Sequence, residues 1–173
     1  MRKVRTFLWC VLSMLVVLAG CTPEYNWRET TVADDRATIA FPSKVQTDQR
    51  SISLDGVDLK FTLSAASIGQ TVFAVGFVKL PAELPVASVE KLTKGLIDSL
   101  MSRAVRPSEP ELMARALKGD TFELETSVAQ QPSWLMGKVL VHQGMLLQVV
   151  VSGPKKELSS ENAKEFMRSL VLK

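Results

Sequence analysis

The chain has 173 residues, 46% of them hydrophobic and 23% charged, which is the balance of one globular domain. Its formal net charge of +3 belongs to the leader: Arg2, Lys3 and Arg5 are three of 21 bases, no acid precedes Glu24, and the rest of the chain balances its 18 acids. With no excess of base to neutralise phosphates, a nucleic-acid partner is not expected.

Residues 1–20 read as a signal peptide. MRKVR is a basic start, and Phe7–Ala19 is an apolar run interrupted only by Ser13. That run is too short to cross about 30 Å of hydrocarbon, which takes about 20 residues. Leu18-Ala19-Gly20-Cys21 then resembles the lipobox of bacterial lipoproteins. The resemblance implies cleavage by signal peptidase II between Gly20 and Cys21, a diacylglycerol on the Cys21 thiol, and an N-acyl chain such as palmitate on its new amine. One acyl chain binds membranes only marginally, whereas two or more anchor stably. Two plainer readings compete: an A-x-A-like site at Val17-Leu18-Ala19 that leaves Cys21 a free thiol, and an uncleaved anchor. Thr22 stands where lipoproteins retained in the inner membrane of enteric bacteria have Asp, which implies the inner leaflet of the outer membrane, facing the periplasm. Cys10 leaves with the leader, so lipidation of Cys21 leaves the mature domain no thiol for a disulfide, a metal or redox chemistry.

Residues 21–26 form the lipidated N-terminus and a short tether, and residues 27–173 a single α+β domain. Near the bilayer, Tyr25 and Trp27 suit the headgroup level; alternatively Trp27 begins a first strand and packs into the core. TTVADDRATIAF predicts strand, Asp34-Asp35 turn, strand. RSISLDGVDLKFTL predicts a hairpin about Asp55-Gly56 that pairs Leu54 with Val57, Ile52 with Leu59 and Arg50 with Phe61. Thr71–Leu80 is apolar on both faces, as a central strand covered on two sides must be. Ser88–Ala104 carries an apolar stripe at helical spacing, with Ser88 as its N-cap. RAVRPSEPE ends that helix in an exposed loop. ARALKGDTFELETSV predicts a strand pair turning at Gly119-Asp120, and WLMGKVLVHQGMLLQVVVS a hairpin turning at Gln143-Gly144. A last helix starts near Ser159, with Ala163, Phe166, Met167 and Leu170 as its apolar side.

The expected fold is an antiparallel sheet of long hairpins covered by two helices. This order resembles PsbP-like domains, including the LpqN-type lipoproteins. The marks are Phe41-Pro42, the Asp55-Gly56 hairpin, the helix near 88–104, and a closing helix with FMRSLVL at Phe166–Leu172. YNWRE also resembles the opening of proteobacterial lipoproteins. The resemblance implies a PsbP-like sandwich that acts as an interaction module and carries no shared catalytic signature.

No chemistry-bearing constellation stands out. His142 is the only histidine, flanking a turn, and with no free thiol a zinc site would need His142 and carboxylates alone. Asp34-Asp35 offers two adjacent carboxylates, far short of the six or so oxygens calcium takes, and a solvated turn explains them as well. No cofactor, metal site or catalytic residue is expected. Arg103, Arg106 and Arg115, mixed with Leu112 and Met113, form the candidate partner surface, arginine with flexible apolar side chains being a common interface recipe; alternatively Leu112 and Met113 tuck into the core. The expected function is a membrane-anchored, non-catalytic binding or accessory subunit with an envelope protein as partner. A carrier of a lipid or other hydrophobic ligand is the second reading, and a hydrolase trails.

Overall fold

A computed structural model of the chain describes residues 24–54, 57–106 and 109–173. The leader, Cys21 and the Asp55-Gly56 turn lie outside the described residues. Among the described residues nine strands make two antiparallel sheets, and three helices complete an α+β fold.

The first hairpin, β1 (Arg28–Val32) and β2 (Ala37–Phe41), turns through Ala33, Asp34 and Asp35, all at left-handed φ of 55°, 51° and 68°. A two-residue strand at Val171–Leu172 (β9) joins β2 to make a sheet ordered β1-β2-β9. Strands β3 (Gln46–Leu54), β4 (Val57–Ile68), β5 (Thr71–Lys79), β6 (Phe122–Val128), β7 (Gln131–His142) and β8 (Met145–Pro154) form the main sheet, in the order β3-β4-β5-β8-β7-β6. The β3–β4 register pairs Leu54 with Val57, Ile52 with Leu59 and Arg50 with Phe61, as the alternation predicts. The hairpin of β7 and β8 turns at Gln143-Gly144, both at positive φ (45° and 72°), which suits a type I′ turn.

Strands β5 and β8 sit innermost in this order, and their side chains divide between two cores. Phe73, Val75, Leu147, Val149 and Val151 enter one; Val78, Leu146 and Val150 enter the other. The small sheet and a helix at Ser160–Arg168 (here α3) cover the first face. Helices α1 (Val86–Met101) and α2 (Pro110–Leu117) cover the second. The sheet is thus the middle of three layers, which is why its central strands lack a polar face.

Four expectations need correction. Helix α1 starts two residues before Ser88; Pro85 stands at its N-cap with no side-chain hydrogen bond, and its carbonyl accepts from the Ser88 (2.9 Å) and Val89 (3.1 Å) amides to begin the first turn. Residues 114–117 are not a strand but the end of α2, a third helix in place of the expected two. Pro110 sits in its first turn, and Leu112, Met113 and Ala116 share its inner face. The partner of β6 is therefore β7, through Ala129-Gln130 at φ 47° and 63°, a hairpin turn without glycine. Finally, α3 ends at Arg168 and does not run on through FMRSLVL. The Ser169 hydroxyl donates to the Phe166 carbonyl (2.7 Å) and accepts from the Ala40 amide (3.0 Å), so the chain leaves the helix to pair with β2.

Candidate binding site

Helix α1 lies on the main sheet through Leu92, Ile97, Leu100 and Met101, all buried. One helix is too narrow to cover that face, and α2 is only eight residues long. Two apolar troughs are left, one on each side of α1.

The larger trough, about 760 Å³, runs between the start of α1, the end of α2 and the outer end of β7. Its walls include Val86, Val89, Leu117, Val139 and Val141. Three of these stay open to solvent, Val86 at 74%, Val141 at 46% and Leu117 at 45%. Isolated exposed apolar residues are ordinary on a protein surface, but a grouped set is a mark of an interaction site. Lys91, Lys94 and Lys118 stand around it against one acid of the lining, Glu90; Asp98 pairs with Lys94 at 2.6 Å. The smaller trough, about 520 Å³, lies on the β3 side, with Ile52, Val78, Leu92, Leu96 and Leu146 as its apolar wall. Both volumes fall within the roughly 300–1,000 Å³ of small-molecule sites.

The troughs lie toward the end of the sheet away from the chain's first described residues. Tyr25 and Trp27 stack on each other at 5.8 Å and set their rings edge-on against Phe73. Trp27 is half-buried and packs against this core, although it precedes β1 instead of starting it. From Phe73 to Lys79 along β5 is about 20 Å at ~3.3 Å per residue. Burial pushes the Tyr25 phenol pKa up, with Glu24 and Glu157 acting the same way and a hydrogen bond with Asn162 opposing.

The candidate partner surface is divided by the fold. Leu112 and Met113 are half-buried and pack against the α1 core, whereas Arg103, Arg106 and Arg115 are exposed. Arg106 lies near Glu125, whose carboxylate pKa is held down by a hydrogen bond from Lys155, then by the charges of Lys155 and Arg106. Leu117 and Lys118, from the same stretch, belong to the larger trough. Val86 precedes the predicted helix and Val141 belongs to the predicted hairpin, neither as a site residue; the signal for them was apolar residues left over after the buried faces of α1 and β7 are assigned.

His142 and Gln143 both engage the Lys173 main-chain carbonyl, at 2.8 Å and 2.7 Å, while the Lys173 amide donates to the Arg36 carbonyl (2.9 Å). The imidazole therefore fastens the β7–β8 turn to the strand beside β2. Among the described residues no three His, Cys, Asp or Glu side chains gather as a metal set, and no helix is long and apolar enough to cross a membrane. Leu18, Ala19, Gly20 and Cys21 lie outside the described residues. Comparison with protein-family models, curated proteins and solved structures finds no match to this chain.

Proposed function

We propose that this protein is a lipoprotein of the bacterial cell envelope, anchored through acylated Cys21, whose PsbP-like domain is a non-catalytic binding or accessory subunit facing the periplasm. The anchor rests on the leader and lipobox of residues 1–21. The binding role rests on one observation: the larger trough beside α1 groups exposed Val86, Leu117 and Val141 within a lysine-rich rim. Its occupant is an apolar segment of an envelope protein with acidic flanks, laid along α1 as amphipathic segments lie in grooves. The trough's distance from the start of the domain turns it toward the periplasm. A carrier of a lipid or other hydrophobic ligand is the second reading, favoured by the nearly all-apolar lining of the smaller trough.

The test places a photo-crosslinking amino acid at Val86 or Val141, and at Val105 as a control outside the trough, in intact cells. A single envelope protein captured from 86 and 141, absent from 105 and lost on Leu117→Asp, supports the binding reading. Equal capture from all three positions, or none from a folded chain, overturns it. Stoichiometric lipid extracted from the purified protein makes it a carrier. A clickable palmitate analogue incorporated by the natural chain and not by Cys21→Ser checks the anchor.

A further inference from the structure

The two edges of the main sheet are finished differently. At β6 the segment after α1 closes the edge: Ala104 bridges Thr126, and the Val105 amide donates to the Glu125 carbonyl (2.9 Å). At the other edge β3 has β4 as its only strand neighbour among the described residues. It is nine residues long, has no proline, and is exposed from Gln46 to Ser51. A long unprotected edge is a template for another strand.

We propose that the strand it takes is β3 of a second copy, antiparallel, about a two-fold axis through Gln49, so that the two main sheets become one. The sequence of β3 supplies the argument. An axis perpendicular to the sheet keeps like faces together, and side chains alternate between faces, so the axis must pass through a residue and not between two. Centred on Gln49, the pairing sets Asp48 opposite Arg50 of the other copy and Arg50 opposite Asp48, on the face that carries Phe61. Thr47 meets Ser51 twice on the other face. Centred one residue earlier, Asp48 would meet Asp48; one residue later, Arg50 would meet Arg50. Like charges directly opposite destabilise a strand pair, and opposite ones stabilise it. Gln49 is therefore the register near the middle of the strand that joins unlike charges, with like charges penalising a slip either way. Neither Asp48 nor Arg50 is in an ion pair with another described residue. Arg50 is exposed on this face, and its guanidinium lies 5.6 Å from the centre of the Phe61 ring across the ladder on β4. This inference is independent of the trough and of the anchor.

The test uses the full chain in intact cells with a mild thiol oxidant. On the axis, residue 49 meets itself, and opposite Cα atoms of an antiparallel pair stand about 4.5–5.5 Å apart, inside the roughly 4.4–6.8 Å of a disulfide. Gln49→Cys is expected to give a disulfide-linked dimer above the background of the natural chain. Ser51→Cys alone is expected to stay at background, and to cross-link when co-expressed with Thr47→Cys. Adding Asp48→Arg or Arg50→Asp to Gln49→Cys is expected to lower the dimer yield about tenfold. Adding both restores it, which loss of folding by either single change could not do. A folded Gln49→Cys chain that stays monomeric overturns the proposal. So does equal linking through Ser51→Cys alone, or a Gln49→Cys adduct with a different protein.

Discussion

Two aromatic rings lie on glycines, and this decides what those positions tolerate. A Cβ on Gly137 would stand 2.8 Å from Cζ of Phe122 and 3.0 Å from Cε2, with Leu100 Cδ1 at 3.4 Å behind. Phe122 is directly opposite Gly137 in the ladder and fully buried, so the ring has nowhere to retreat. Gly76 holds the ring of Phe61 in the same way, at 2.5 Å from Cζ. Gly137→Ala is therefore expected to cost about 1–3 kcal/mol of unfolding free energy in urea titration, as overpacking does. Gly95 is the contrast: a Cβ added there, on the exposed side of α1, would meet nothing within 4 Å. Gly95→Ala should gain about 0.5–1 kcal/mol from helix propensity alone. The sequence by itself places Gly95 inside a helical stripe, where glycine is a poor helix former. It held no sign of Gly137 and Gly76, because their partners are set by register across two strands.

The same contrast runs through the elements. Ser159 caps α3, its Oγ accepting from the Asn162 amide at 3.1 Å, and Glu161 adds an acid to the first turn. Ser88 is a helical residue in the first turn of α1 and caps nothing. Ser159→Ala should cost about 1 kcal/mol, and Ser88→Ala should lie within about 0.5 kcal/mol of the natural chain; equilibrium unfolding of both in parallel checks the pair. Legibility followed chemistry that is local. The β3–β4 pairing was readable because Asp-Gly and period-two alternation agree on one register. Ala129-Gln130 was not, since neither residue favours positive φ and only the paired strands hold it there. Helix α2 was missed for a related reason: in eight residues, Leu112, Met113 and Ala116 fit a short strand pair nearly as well as a helix face.

At the scale of the whole molecule, one side chain connects the layers on the small-sheet side. Phe166 of α3 is fully buried, its ring centre 5.5 Å from that of Phe41 in β2 and 5.3 Å from that of Phe73 in β5. Phe166→Ala is expected to cost about 3–5 kcal/mol, a large share of the roughly 5–15 kcal/mol that holds a domain together. Because Trp27 also rests on Phe73, its fluorescence should report the loss as a shifted emission maximum in the folded state. An unchanged midpoint and spectrum would mean that the small sheet and α3 hold to the main sheet without this ring. The candidate site belongs to this scale as well. Its floor on β7 and its walls on α1 and α2 come from distant parts of the chain, so no short window of sequence contains it.

By itself the sequence determined what short-range periodicity and turn chemistry encode: the first hairpin, the β3–β4 register, the two-faced apolar strands β5 and β8, the turn at Gln143-Gly144 and the helix capped by Ser159. The proposed anchor rests on residues 1–21 of the sequence alone, which lie outside the described residues. Only the tertiary structure decided which layer covers which face of the sheet, that Leu112 and Met113 turn inward while Leu117 stays out, and that Val86 and Val141 meet in one trough. The reason is physical. Alternation says that a strand has two faces to bury, but the choice of cover is made by segments distant in the chain, competing for the same apolar surface.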